Sequence, residues 1–363
     1  MMQSFKAIDS AGKAARRRKL FFLFLVLLGC IFPDSVQKSR GAGEQGHFFV
    51  TGHVRPILNE KEGVGVVEGF LEKGVPFINS LHPDFVVFTG DEVLGGIDGF
   101  HRFPVETLKK QYAFFVEQVL GKIEAKAYCV AGNHDTGSVP HAPSIELFET
   151  LLNPLHFSFK HKGSLFLFLS MYEPFNHIPQ NNHLAPLSAV WEDYDTAASR
   201  NFLDTVRREL SGSYNHLFVF VQASPSSDTP IGYYWTHFLV PLFASTGKDV
   251  HVFSTDHFTR RPLVHYVYKV ERHKNIRFYN FAKYPRGSYL VHFDDSSVRV
   301  YLGEGEDLMP SVIQEVEYQP ASRLSMLRRY LSIEPRRYLL FEIVVPIVEK
   351  YNRVMSRLRN DGT

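Results

Sequence analysis

Val130-Ala131-Gly132-Asn133-His134-Asp135 is the stretch on which the reading of this chain turns. The apolar run from Ala125 to Val130 reads as a buried strand, and Gly132 lets the backbone turn sharply where that strand ends. Three side chains then stand in a row at a strand's C-terminal end, where open α/β sheets bind ligands. The Asn133 carbonyl oxygen suits a divalent metal. His134 suits charge stabilisation on a phosphoryl group or protonation of a leaving oxygen, and Asp135 can accept the other ring N–H of His134 and fix its tautomer. The same residue types also favour plain turns, so the stretch alone leaves a site and an ordinary turn both open.

Upstream, Asp84-Phe85-Val86-Val87-Phe88-Thr89-Gly90-Asp91 reads as a second buried strand ending in Gly-Asp, and His47-Phe48-Phe49-Val50-Thr51-Gly52-His53 as a first one ending in histidine. Helical segments are expected between them, over Val64 to Ser80 and over Val105 to Lys122, with Pro104 at the start of the second. This alternation predicts an α/β domain with partly parallel pairing. Further on, Ser144 to Leu152 reads as helix, Phe157 to Lys160 and Ser164 to Ser170 as a hairpin, Leu187 to Leu210 as helix and Leu217 to Val221 as strand. Val250 to Phe253 and the strand pairs from Val264 to Leu302 are expected to complete a second sheet.

Strands that each end in a metal-ligating residue resemble the calcineurin-like metallophosphoesterase superfamily. Its pattern runs Asp-x-His, Gly-Asp, Gly-Asn-His-Asp or Glu, a His before Pro, and Gly-His-x-His. The resemblance spans Phe48 to Leu302. It implies two mixed β-sheets sandwiched and flanked by helices, and a pair of divalent cations that clamp a phosphate and activate a bridging water. His53, Asp91 and Asn133 stand at ligand positions, with His134 and Asp135 as the catalytic His and its orienter. Other positions depart from the pattern. Thr51 replaces the first Asp, Ala223 stands where a ligating His belongs, and Ser254-Thr255-Asp256-His257-Phe258 replaces the last motif. Asp256 is itself an oxygen ligand, and a one-residue slip would offer His257 instead; Ala223 and Phe258 supply nothing. Loop residues such as His177 or His183 are further donors, and Arg260 and Arg261 are placed to meet a phosphate. These losses predict at most one bound ion, held by oxygen-rich ligands that suit Mg²⁺ or Mn²⁺ better than Zn²⁺. Two readings result: a phosphoesterase acting on a phosphomonoester or phosphodiester through an incomplete dinuclear site, or a catalytically dead scaffold of the same fold.

With 363 residues, 44% hydrophobic and 21% charged, the chain is long enough for one large domain with appendages. A net charge of +2 makes no case for nucleic acid. The two cysteines, Cys30 and Cys129, exclude a disulfide framework and a Cys-ligated zinc site, and Cys129 reads as a small core residue. Residues 1–36 carry Arg16-Arg17-Arg18-Lys19 before an apolar run from Leu20 to Phe32, the layout of a signal peptide or anchor rather than a full span. Leu27-Leu28-Gly29-Cys30 also resembles a lipoprotein cleavage box, which would lipidate Cys30. The cationic flank sends the chain beyond Pro33 across the membrane, and the lack of any Asn-x-Ser/Thr acceptor favours a bacterial envelope over a eukaryotic lumen. Residues 37–46 read as linker, 47–305 as the phosphoesterase-like domain and 306–363 as an amphipathic basic tail. In the tail, basic residues from Arg328 to Arg359 bracket an apolar run from Tyr338 to Val348, fit for an interfacial helix, a helix on the domain's own core, or a subunit contact.

Overall fold

The computed structural model describes residues 44–56, 63–95, 103–136, 142–170, 193–225, 229–255, 269–281, 287–304, 307–310 and 314–327. Thirteen strands among them form two mixed sheets. The first is built around β1 (Gly46–Thr51), β2 (Phe85–Phe88) and β3 (Lys126–Cys129), which run parallel in that order. On the other side of β1 lie β10 (Ser288–Phe293), β11 (Val298–Glu304) and β12 (Asp307–Pro310), each antiparallel to its neighbour. The second sheet has β5 (Ser164–Leu169), β6 (His216–Val221), β7 (Asp249–Thr255) and β9 (Ile276–Phe281) in parallel. β4 (His156–His161) is antiparallel to β5 at one edge; β8 (Lys269–His273) is antiparallel to β9 at the other, with β13 (Gln314–Glu317) parallel to β8 outside it.

The strand sequences look uniformly apolar because both of their faces are buried, yet a period of two survives within them. Phe48 and Val50 of β1, Phe166 and Phe168 of β5 and Phe218 and Phe220 of β6 point between the sheets. Leu165, Leu167, Leu169, Leu217, Val219 and Val221 alternate with them and face the outer helical layer. In β5 and β6 aromatic residues thus face the sheet-to-sheet gap and aliphatic ones the sheet-to-helix seam. Phe48 sits at the centre of the gap, fully buried, with ring centroids 5.2 Å from Phe85, 5.4 Å from Phe166 and 5.1 Å from Phe218. These rings are packing and not a ligand cage.

Helices cover the outer faces. On the first sheet lie α1 (Val75–Ser80), entered through a π turn at Phe70–Gly74, then α2 (Val105–Phe114), continued by a π turn at Phe115–Val119, and α4 (Ala142–Leu151). The short α3 (Asn133–Thr136) carries the site. On the second sheet lie α5 (Ala197–Glu209), α6 (Pro230–Tyr234) and α7 (Val240–Ser245). Thr196 caps α5 by accepting the Ser199 N–H, and Thr229 caps α6 by accepting from Gly232.

The structure corrects two expectations. The strands after Val264 do not all join the second sheet: β10 pairs with β1, because Phe49, a central residue of that strand, finds Leu290 across an antiparallel ladder. The domain also runs past residue 305. β12 and β13 add one strand to each sheet, and Tyr318 and Met326 are buried against the second sheet's outer layer, so residues 307–310 and 314–326 belong to the fold and not to a tail. Residues 1–43, the segments 171–192 and 256–268, and everything after 327 lie outside the described residues. With them lie the expectations for the N-terminal segment, Cys30, His177, His183, Asp256, His257, Phe258, Arg260 and the basic tail. Among the described residues no helix is long and apolar enough to cross a membrane.

Candidate functional site

The parallel strands of both sheets end at one edge, and the loops leaving them carry the polar residues. His53 comes after β1, Asp91 after β2, Asn133 and His134 after β3 and Gln222 after β6, while Thr255 ends β7. His53 and Asp91 both adopt left-handed backbone, at φ 52° and 59°, a conformation rare for non-glycine residues and concentrated at functional sites. Gly132 serves the site by close approach: a Cβ there would lie 2.5 Å from Asp91 Oδ1, and its φ is not in the left-handed region expected of a sharp glycine turn. Gly95 needs both of glycine's freedoms, with φ +63° and the His134 carbonyl oxygen 1.6 Å from where a Cβ would be.

Asp91 is the hub. Its Oδ2 lies 3.1 Å from His53 Nδ1, accepts from Arg55 Nε at 3.2 Å, and faces His134 Nε2 at 3.7 Å. Asp91 is 1% exposed and Arg55 18%, so the ion pair is largely shielded from solvent. Burial acts to raise the carboxyl of Asp91, and the His134 and His53 rings and the Arg55 guanidinium outweigh it, holding Asp91 well below its ordinary value. The other nitrogen of His53, Nε2, donates to the Thr255 carbonyl at 2.9 Å, which ties the first sheet's site loop to the second sheet.

His134 and Asp135 do not form the pair expected of them. The His134 ring is oriented by the Leu94 carbonyl, to which Nδ1 donates at 2.7 Å. Its lone pair is therefore on Nε2, toward Asp91. Burial lowers His134 to about 4, against the pull of Asp91, so the ring is neutral at ordinary pH. Asp135 instead gathers backbone N–H groups: Gly132 at 2.8 Å, Asp91 at 2.8 Å, Glu92 at 3.2 Å and Val93 at 3.3 Å. The physical reason is geometric. The residue after His134 lies on the inner side of a one-turn helix and points back at the Gly-Asp loop, while the imidazole points along it. Beside Asp135, burial and the adjacent carboxylates push Glu92 well above its ordinary value. Glu92 Oε1 accepts from the Gly90 N–H at 3.1 Å.

Two residues of this site lie outside the sequence motifs. Arg55 is one; its only signal is a cation two positions after the histidine. Gln222 is the other, with Nε2 at 3.4 Å from both Asn133 Oδ1 and His53 Nε2. Its signal is a lone amide at the end of the apolar strand Leu217 to Val221. Ala223 brings no ligating atom, and the hydroxyl of Thr51, buried at the end of β1, has no hydrogen-bond partner among the described residues.

A dinuclear centre does not fit these residues. Asp91, which would bridge two ions, is already paired with the Arg55 guanidinium and lies against the His53 ring; Asn133 Oδ1 faces Gln222; and His53 Nε2 is committed to a carbonyl. Thr51 offers a neutral oxygen where a carboxylate would stand.

Residues 67–237 match the calcineurin-like phosphoesterase family. That span contains Asp91, Asn133, His134 and Gln222, and excludes Thr51 to His53 and the segment after Ser254. A search of curated proteins found no match. Among solved structures, GAP50, the anchor in the inner membrane complex of Plasmodium, is similar at 12% identity over 79% of this chain and 94% of that one, with a TM-score of 0.48. A Staphylococcus aureus protein assigned as a 5'-nucleotidase is similar at 12% identity over 80% of this chain and 58% of its own, with a TM-score of 0.40. Neither likeness bears on activity. The family match gives residues 67–237 a calcineurin-like phosphoesterase domain, of a family that uses divalent metals, and the two mixed sheets flanked by helices have the architecture expected of it.

Proposed function

We propose that this chain is a calcineurin-like phosphoesterase fold that has given up two-metal hydrolysis and serves as a membrane-associated binding or scaffold protein. The observation that carries this reading is the Arg55–Asp91–His53 cluster. The Arg55 guanidinium, at 3.2 Å, and the His53 ring, at 3.1 Å, occupy the carboxylate that two metals would share. A buried carboxylate so paired has little to gain from a divalent ion, because the ion must displace a guanidinium already desolvated beside it. The ligands left over, Asp91 and Asn133, would hold one Mg²⁺ or Mn²⁺ weakly at most. Membrane association on the exported side, in a bacterial envelope, rests on the basic flank and apolar run of residues 16–32 and on the basic tail.

A second reading, slow hydrolysis of a phosphate ester through one ion, draws support from His134. Its Nε2 lone pair faces the cluster and its ring is fixed by Leu94, an arrangement suited to proton transfer. The two readings part in an assay of p-nitrophenyl phosphate and bis-p-nitrophenyl phosphate with millimolar Mg²⁺ or Mn²⁺. The scaffold reading expects the wild-type rate to equal that of Asp91→Asn. A wild-type rate well above that variant's, and lowered by His134→Ala, establishes the enzyme instead.

A further inference from the structure

The opposite ends of the same strands hold a second cluster of ligating side chains. His216 and Asp249 open β6 and β7 and face each other across the ladder, and His251 lies two residues along β7. One ligating atom from each lies within 4.8 Å of the other two. Four to six residues of strand separate this cluster from Gln222 and Thr255, about 13–20 Å at 3.3 Å per residue, so it is no part of the site around Asp91.

The hydrogen bonds around the two imidazoles leave one nitrogen of each over. His216 Nε2 donates to the Asp294 carbonyl at 2.9 Å, which leaves Nδ1 as the ring's lone-pair nitrogen. His251 Nδ1 bonds the Tyr279 hydroxyl at 3.1 Å, which leaves Nε2. Both remaining nitrogens are buried without a hydrogen-bond partner among the described residues, in side chains only 4% and 2% exposed. A buried polar atom left unpaired costs on the order of 1–3 kcal/mol, and here two such atoms belong to side chains whose ligating atoms cluster with a carboxylate oxygen. A ring held by a carbonyl or hydroxyl on one nitrogen, with the other left open, is the arrangement by which proteins orient a metal-ligating histidine. Asp249 supplies the charge. One of its oxygens accepts from Arg277 Nη1 at 3.0 Å, which orients the carboxylate and leaves the second oxygen. Its side chain is 44% exposed, so water can complete the coordination.

We propose that His216 Nδ1, His251 Nε2 and one Asp249 oxygen form a mononuclear zinc site. Two imidazoles and one carboxylate favour Zn²⁺ over Mg²⁺ or Ca²⁺. Ligand atoms around a tetrahedral Zn²⁺ stand about 3.4 Å apart, so the three side chains close inward by roughly an ångström on binding. The ion would join the first turns of β6 and β7 and, through the Asp294 carbonyl, the β10–β11 turn of the other sheet. Its role is therefore to fasten the two sheets at the end away from Asp91.

Metal-stripped full-length chain is titrated with Zn²⁺, and with Co²⁺ as a spectroscopic stand-in, alongside Asp249→Asn, His216→Gln and Asp91→Asn. The expected result is one Zn²⁺ per chain and intense visible Co²⁺ bands of a four-coordinate centre. Both should persist in Asp91→Asn, and affinity should fall at least tenfold in Asp249→Asn, whose half-exposed side chain can change without loss of the fold. Zn²⁺ should raise the melting temperature of the wild type and not of Asp249→Asn. If His216→Gln does not fold, Asp249→Asn decides alone. No Zn²⁺ bound by the wild type, binding unchanged in Asp249→Asn, or binding lost in Asp91→Asn would each overturn the proposal.

Discussion

Among single residues, Arg55 decides how the site behaves. Its guanidinium lies on the carboxylate of Asp91 where a metal would otherwise be drawn. Arg55→Ala should therefore strengthen Mn²⁺ binding at Asp91, by about tenfold or more if a shielded charge 3–4 Å away is worth one to a few kcal/mol; isothermal titration of the variant against wild type checks the sign. Unchanged or weaker binding would mean that the ion pair does not close the site. Asp135 behaves differently, because its carboxylate serves the backbone. Asp135→Ala leaves four N–H groups at Gly132, Asp91, Glu92 and Val93 without their acceptor. It should cost about 3 kcal/mol or more of stability, read from urea denaturation. His134→Ala removes one bond to Leu94 and should cost far less. The Gly-Asn-His-Asp stretch makes a site at this position legible, and the spacing from Gly90-Asp91 makes the meeting of Asp91, Asn133 and His134 legible too. What the side chains bond to is not. Whether His134 turns to Asp135 or to Leu94 depends on the direction of a one-turn helix, and Arg55 reaches Asp91 only because His53 takes a left-handed backbone conformation.

Among the strands and helices, the alternation of phenylalanine with leucine or valine in β5 and β6 sorts the two faces of each strand. Phe48→Ala in β1 empties the centre of the aromatic layer and should cost about 3–5 kcal/mol, measured by chemical denaturation. Phe159, on the edge strand β4 and partly buried, should cost less when truncated. The sheets are also clamped near the start of β1. Asp84 accepts from the His47 N–H at 3.0 Å and from Lys162 Nζ at 2.8 Å, and lies 3.2 Å from His161 Nε2 at the end of β4. Burial acts to raise Asp84, and the bonds to Lys162, His47 and His161 outweigh it, leaving it lowered. A carboxylate lowered on folding stabilises fully above its unfolded value, near 4, and loses that contribution as pH falls through the folded value. Asp84→Asn should therefore be less stable than wild type at pH 7, and the gap should narrow below pH 4; urea midpoints at both pH values test this. The β4–β5 turn, with Lys162 and Gly163 at φ 44° and 74°, is the two-residue kind that a hairpin favours, and is legible as His161-Lys162-Gly163. The sheet membership of β10 is not legible, since a local alternation does not say which distant strand it will pair with. Nor is the run α6 to α7, because Pro241 interrupts a pattern that the structure continues through a π turn.

Taken whole, the sandwich is held by the aromatic layer between its sheets and by the helices that cover their outer faces. Export is tested by fractionation with protease protection: the folded domain should lie outside the cytoplasm, and recovery as a soluble cytoplasmic protein with an intact N-terminus would refute the membrane reading. Whether the edge around Asp91 is closed to two metals is decided by metal analysis of full-length protein purified without a metal-binding tag, wild type beside Asp91→Asn. A closed edge gives the same metal content in both, with at most one ion per chain and none that depends on Asp91 surviving dialysis. Two tightly held ions in the wild type, lost together in Asp91→Asn, would contradict it.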